Sequence, residues 1–230
     1  SNNNNKYYFN ANNQITTSAP TLSNRFSTYR SDPANPVPYQ GGIHKSRGIT
    51  YMIDDQRFAF KRKDVLSFST PVLQANTTLA GPVKVHLNVS ITTTDADFIV
   101  KIIDVYPDST TGKMSGYQSL VRAEVMRGKY RNSFTHPVAF TPGKVTEVDY
   151  TMPDILHTFK KGHRIMIQVQ SSWFPLVDRN PQVFEDIYKA KAKDFVPADI
   201  KLYHDKQQPS YIELGTLDQQ SYNQHVFSRD

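Results

Sequence analysis

Pro82-Val83-Lys84-Val85-His86-Leu87-Asn88-Val89-Ser90-Ile91 alternates apolar and polar residues without a break. Successive side chains of a strand point to opposite faces, so Val83, Val85, Leu87, Val89 and Ile91 share one side and Lys84, His86, Asn88 and Ser90 the other. A helix would scatter the five apolar residues around its axis. The stretch therefore reads as a half-buried strand, and a one-residue slip in its register would expose the whole apolar set.

The next apolar run, Phe98 to Val105, is interrupted only by Lys101 and Asp104, the pattern of a strand covered on both faces. Strands are further predicted at Tyr117 to Met126, Val145 to Met152, Arg164 to Ser171 and Tyr211 to Leu214. Turn formers separate them at Pro107 to Gly112, Thr141-Pro142-Gly143 and Lys160-Lys161-Gly162. Residues 1–40 are broken by Pro20, Pro33, Pro36 and Pro38 and read as a connector with little core of its own. Within it Lys6 to Phe9 and Gln14 to Thr17 form a small hairpin around Asn10 to Asn13. Residues 41–230 form the main domain, in which only Val183 to Lys193 has room for a helical turn or two.

Composition agrees with a β architecture. Valine and isoleucine number 32 against 23 for leucine and alanine, and there are 13 tyrosines and 13 phenylalanines, the residues that suit a pleated surface. No strand alternates with a long helix, which excludes a doubly wound α/β fold. Uneven strand spacing and long crossing loops favour an all-β jelly roll of two packed antiparallel sheets over a closed barrel. No apolar run is long enough for a membrane-spanning helix, and no membrane partner is expected. With no cysteine, disulfides are excluded, and either an oxidising or a reducing compartment is compatible. Ser1 followed by four asparagines reads as the start of an excerpt from a longer polypeptide.

The net charge of +6 is spread along the chain, with small clusters at Lys61-Arg62-Lys63 and at Lys189, Lys191 and Lys193. No basic-aromatic stacking array accompanies it, so nucleic acid is not an expected partner. Acyl chemistry on an α/β-hydrolase scaffold requires Gly-x-Ser-x-Gly, which is absent. Gly112-Lys113-Met114-Ser115-Gly116 has its serine one place too late and reads as a hairpin turn. The histidines at 44, 86, 136, 157, 163, 204 and 225 contain no His-x-x-x-His pair, and no metal or other cofactor is expected. His86 reads as a surface residue, and His163 as a structural hydrogen-bonding group at a strand start. Asp95-Ala96-Asp97 and the acidic end of Asp104 to Asp108 hold the minimal ingredients of a calcium site, against which stands the preference of aspartate for turns.

One segment differs in kind. Ser171-Ser172-Trp173-Phe174-Pro175-Leu176-Val177-Asp178-Arg179-Asn180-Pro181 places the only tryptophan beside a phenylalanine and an Asp-Arg-Asn group, directly after a strand. Apolar surface and hydrogen-bonding groups together suit a binding site or a domain interface, and equally a loop that caps the sandwich.

These residues also carry a resemblance. Lys161-Gly162-His163-Arg164-Ile165, Gln170-Ser171-Ser172-Trp173-Phe174-Pro175 and Asp178-Arg179-Asn180-Pro181 resemble the C-terminal domain of the cocaine esterase and X-prolyl dipeptidyl peptidase family of serine hydrolases, nearest to the α-amino acid ester hydrolases and glutaryl acylases. Ser31 to Pro38, Asp55 to Phe58, Asp64 to Phe68, Gly81 to Val83 and Val100 to Asp108 support it, so that the likeness covers about Lys6 to Leu214. The resemblance implies a non-catalytic jelly roll packed on an α/β-hydrolase domain of the same parent chain, whose serine, aspartate and histidine do the chemistry on a small acyl or peptide substrate. It implies an inactive isolated domain and is compatible with a homo-oligomer. It places Ser172, Trp173, Phe174, Asp178, Arg179 and Asn180, with Asp55, Gln56 and Arg57, at or near the contact between domains, with Trp173 or Phe174 exposed. The rival reading is a free-standing carbohydrate-binding jelly roll that stacks sugars on Trp173 and Tyr117.

Overall fold

The computed structural model describes residues 3–38, 55–108, 112 and 115–217. The expected boundary between residues 40 and 41, His44, His225 and the Lys113-Met114 part of the glycine-bounded turn lie outside the described residues. Among the described residues there are eleven strands: β1 (Asn3–Asn10), β2 (Gln14–Thr16), β3 (Phe26–Ser31), β4 (Leu66–Ser69), β5 (Thr77–Ile91), β6 (Asp97–Val105), β7 (Gln118–Arg127), β8 (Thr146–Phe159), β9 (Arg164–Gln170), β10 (Ala198–Tyr203) and β11 (Tyr211–Leu217). The one α-helical turn among the described residues, α1, is Arg57–Phe60.

The strands make an all-β sandwich of the expected jelly-roll kind. In the first layer β5 is central, paired with β8 along one edge and with β11 and β10 along the other. Beyond these lie β1 and β2 on the β11 side and β3 on the β10 side. The second layer runs β4-β9-β6-β7. All of these pairings are antiparallel. The layers join into one continuous ladder through a single parallel bridge, Gln14 to Ser69.

Val83, Val85, Leu87, Val89 and Ile91 all face the inter-layer core, none more than 2% exposed. They meet Phe98, Val100 and Ile102 from β6 and Ile165, Ile167 and Val169 from β9. The opposite face is less polar in its surroundings than its residues suggest. Asn88 and Ser90 are buried, because Asn88 donates to Pro209 O at 2.6 Å and Ser90 meets the Tyr203 hydroxyl at 3.1 Å.

Several expectations are corrected. β5 begins at Thr77, five residues before Pro82, because a register shift between Gly81 and Val83 absorbs the proline. β8 runs on to Phe159 through Pro153, which the same shift leaves unpaired with β5. The first forty residues carry more core than a connector: the hairpin is present, but Phe9, Ile15, Tyr29 and Val37 are buried in the described part. Isolated hairpins are marginal in water, and this one gains its stability by closing the barrel-like seam between the layers. Residues 183–193 form no helix beyond a 3₁₀ turn at Ala192–Asp194. The chain there is held instead by Gln182, whose amide donates to Ser31 O and Val196 O. β3, β4 and β10 are additional strands; β10 carries a legible alternation of Ala198, Ile200 and Leu202, all buried.

Candidate functional site

The outward face of the second layer is covered rather than wet. Its cross-strand rows follow from the register: Ser67, Gln168, Lys101 and Ala123 in one, Ser69, Met166, Ile103 and Leu120 in the next. Two segments lie over them. Residues 172–177 bring Trp173 onto Ile99, Ile103, Leu120 and Met166, with Leu176 and Val177 alongside. Residues 55–65 bring Phe58, Ala59 and Val65 together with Val37. This is why Phe98 to Val105 is apolar on both faces.

The two groups of site residues singled out in the sequence meet here through a residue that was not among them. Lys101 is completely buried. Its Nζ donates to Gln56 Oε1 at 3.2 Å and sits over the Trp173 ring, 4.7 Å from the centroid, with Phe58 at 6.0 Å. Burial pushes the amine down from its ordinary 10.5 to about 7. The available signal was a lysine inside an otherwise apolar run, which marks a charge that the fold has to accommodate.

Trp173 is 3% exposed and acts as an anchor, whereas Phe174 is 42% exposed. The polypeptide from 33 to 38 fixes the pair. Val37 N donates to Ser172 Oγ at 2.9 Å, Phe174 N donates to Val37 O at 2.9 Å, and Pro38 bridges Phe174 in parallel. Arg179 donates to Pro33 O at 3.0 Å and lays its guanidinium over two rings, Phe174 at 5.7 Å and Phe195 at 5.1 Å. The neighbouring Asp178 is exposed, and it is the backbone of Pro33 that holds the Arg179 guanidinium.

Asn180 points the other way. Buried, it donates its amide to Asp95 Oδ2 at 3.1 Å and Asp97 Oδ1 at 2.9 Å and accepts from Gln182 N at 2.7 Å. Arg127 pairs with the far oxygen of Asp97 at 2.8 Å. Desolvation pushes Asp97 up to about 6, with Arg127 opposing, and raises Asp95 as well. The two aspartates thus hold a loop end in place. Among the described residues no group of three or more His, Asp or Glu side chains is arranged to hold a metal ion.

Asp55 and Arg57 form an ion pair at the free edge of β7, where Asp55 bridges Ser119 and Arg57 donates to Ser115 O at 3.1 Å. The site residues therefore divide four ways: Asp55 and Arg57 at the edge of β7, Gln56 and Trp173 around Lys101, Phe174 and Arg179 on the exposed rim, and Asn180 with the two aspartates. At the opposite end of β6, Asp104 joins His157 at 2.8 Å and His163 at 2.7 Å, the structural bonding foreseen for His163. His86 is half-buried, bonded to Asp149 at 2.5 Å and stacked on Tyr211. The sugar-stacking reading loses its main platform, because the Trp173 face is taken by Lys101 and Tyr117 packs edge-on against Tyr106.

Residues 1–213 match the family described as the X-Pro dipeptidyl-peptidase C-terminal non-catalytic domain. The chain is similar to the cocaine esterase of Rhodococcus sp. (strain MB1 Bresler), with 34% identity over 190 residues covering 83% of this chain and 32% of that protein. Among solved structures it is similar to an aminopeptidase from a marine sediment archaeon, Thaumarchaeota archaeon, with 36% identity and a TM-score of 0.90, covering 94% of this chain and 37% of the other. It is similar also to an α-amino acid ester hydrolase, with 38% identity and a TM-score of 0.87, covering 92% and 36%. The chain spans about a third of the length of these relatives.

Proposed function

Because the chain belongs to the family of X-Pro dipeptidyl-peptidase C-terminal non-catalytic domains, we propose that its rim of Phe174, Arg179 and Phe195 docks on an α/β-hydrolase domain of the same parent chain and helps wall that domain's active-site entrance. The observation that carries this is the contrast within one loop: Trp173 is driven inward while its neighbour Phe174, bonded through its backbone to Val37, is left in water. Each Å² of apolar surface left hydrated forgoes about 25 cal/mol, so a fixed, exposed phenylalanine beside a stacked arginine suits a surface that a partner covers. Arg179 uses one donor on Pro33 and keeps the remainder of its fork for acceptors across the contact. The hydrolase domain would supply the nucleophile and its base and act on an ester or amide of an amino acid or short peptide.

The test supplies the hydrolase domain in trans. Phe174→Ser and Arg179→Ala are expected to weaken association at least tenfold while the melting temperature of the isolated domain stays within a few degrees. Unchanged association with both variants would remove the rim from the interface. Trp173→Ala is not a usable probe of docking, since it would strip the anchor from the second layer.

A further inference from the structure

We propose that Lys101 is the pin of a proton-sensitive latch: its buried amine ties the segment carrying Gln56 to the loop carrying Trp173, and protonating it favours the state in which these two covers lift from the second layer. The inference rests on the geometry around Lys101 and not on the docking reading.

Gln56 Oε1 is the one hydrogen-bond acceptor that Lys101 Nζ reaches among the described residues. A neutral amine is satisfied by donating one such bond and facing the Trp173 ring, but an ammonium has three donors and a charge that the site does not neutralise. The neighbouring polar groups in the same cross-strand row add to the imbalance. Ser67 Oγ and Gln168 Oε1 are buried and make no hydrogen bond. Lifting the covers would therefore hydrate a charge and two orphaned acceptors together, which makes this layer the place where opening is most favoured.

The charged groups on the elements packed against the amine do not compensate it. On the segment over the sheet, Asp55 pairs with Arg57 and Arg62 with Asp64. Arg122 and Glu124 flank Ala123 on β7, and Asp178 and Arg179 lie on the exposed side of the loop. On β6 itself Asp97 is committed to Arg127, and Asp104 to His157 and His163. Burial alone moves Lys101 from 10.5 to about 7.

The sign follows from proton counting. Between about pH 7 and pH 10.5 the open state holds a proton that the closed state lacks, so opening rises as pH falls through this window and levels off below about 7. Amide hydrogen exchange, corrected for intrinsic rates, reads it at Phe174 N and Val177 N, whose partners are Val37 O and Trp173 O. Protection in the wild-type chain is expected to fall roughly 100-fold between pH 9 and pH 7, tenfold per unit. In Lys101→Met it is expected to stay flat. In Gln56→Leu, which removes the acceptor that favours the charged amine, the fall is expected to continue below pH 7. Flat protection in the wild type, the same slope in Lys101→Met, or a Gln56→Leu profile that levels at the wild-type pH would each overturn the latch.

Discussion

At the scale of single residues, two buried polar groups set the energetics of the loop and respond to pH in opposite ways. Lys101 has its folded pKa below the unfolded value, so its contribution is complete above 10.5 and is lost as pH falls to about 7. Relative to Lys101→Met, wild-type stability should therefore rise by up to about 1.4 kcal/mol per pH unit across that window, and the methionine variant should be the more stable protein at pH 7. Chemical denaturation at pH 7, 8 and 9 measures this, and a pH-independent difference would refute it. Asp97 is raised from 3.8 to about 6, so its contribution is complete below 3.8 and is lost as pH rises through 6. Asn180 offsets that loss by donating to both ionised aspartates. Asn180→Ala is accordingly expected to cost about 1.5–3 kcal/mol at pH 8 and less at pH 5, where Asp97 is protonated. Equal costs at the two values would mean that the amide acts by packing alone.

Among the elements, the N-terminal hairpin is the informative one. β1 lies against β11, β2 bridges to β4, and Phe9 packs edge-on against Phe68 at 4.8 Å between ring centroids. Phe9→Ala should therefore behave as a core mutation and cost about 3–5 kcal/mol, the same order as Leu87→Ala in the central strand at about 2–5 kcal/mol. A loss below 1 kcal/mol for Phe9→Ala would show that the hairpin is an appendage. Gly215 marks how closely the same region is packed, since a Cβ there would stand 2.5 Å from Ala80 O. Gly215→Ala should separate β11 from β5 and lower the melting temperature.

For the whole molecule, the described residues assemble no Ser-His-carboxylate triad. Ser115 bonds the Asp108 carbonyl in a turn, and His157 and His163 bond Asp104. His204 meets the Ser27 hydroxyl at 2.9 Å, but its buried Nδ1 has no hydrogen-bond partner, so no carboxylate orients that ring. Covalent acyl transfer by a serine needs a base that is itself oriented by a third group. The isolated chain is therefore expected to show no turnover of chromogenic amino-acid esters above buffer. Activity that persists through purification and is abolished by a serine-directed inhibitor would refute this.

The layered β architecture was legible in the residues because its signal is local. Alternation along Val83 to Ile91 needs no knowledge of the partner strand to assign an inner face, and an apolar run with few breaks at Phe98 to Val105 already implies cover on both sides. The edges were less legible. β3 buries only Tyr29 and Ser31 of its six residues, so its periodicity is faint, and β8 passes through a proline that only an edge position tolerates. What the tertiary structure alone decided was which way the Trp173 to Asn180 loop faces. Composition allowed either aromatic to be exposed. The choice fell to residues 33–38 and 55–65, more than a hundred positions away in sequence, which pin Phe174 to Val37 and lay Gln56 over Lys101. Such non-local packing decides burial because the free energy of a side chain depends on what covers it, and the chain that covers Lys101 and Trp173 is not the chain beside them in sequence.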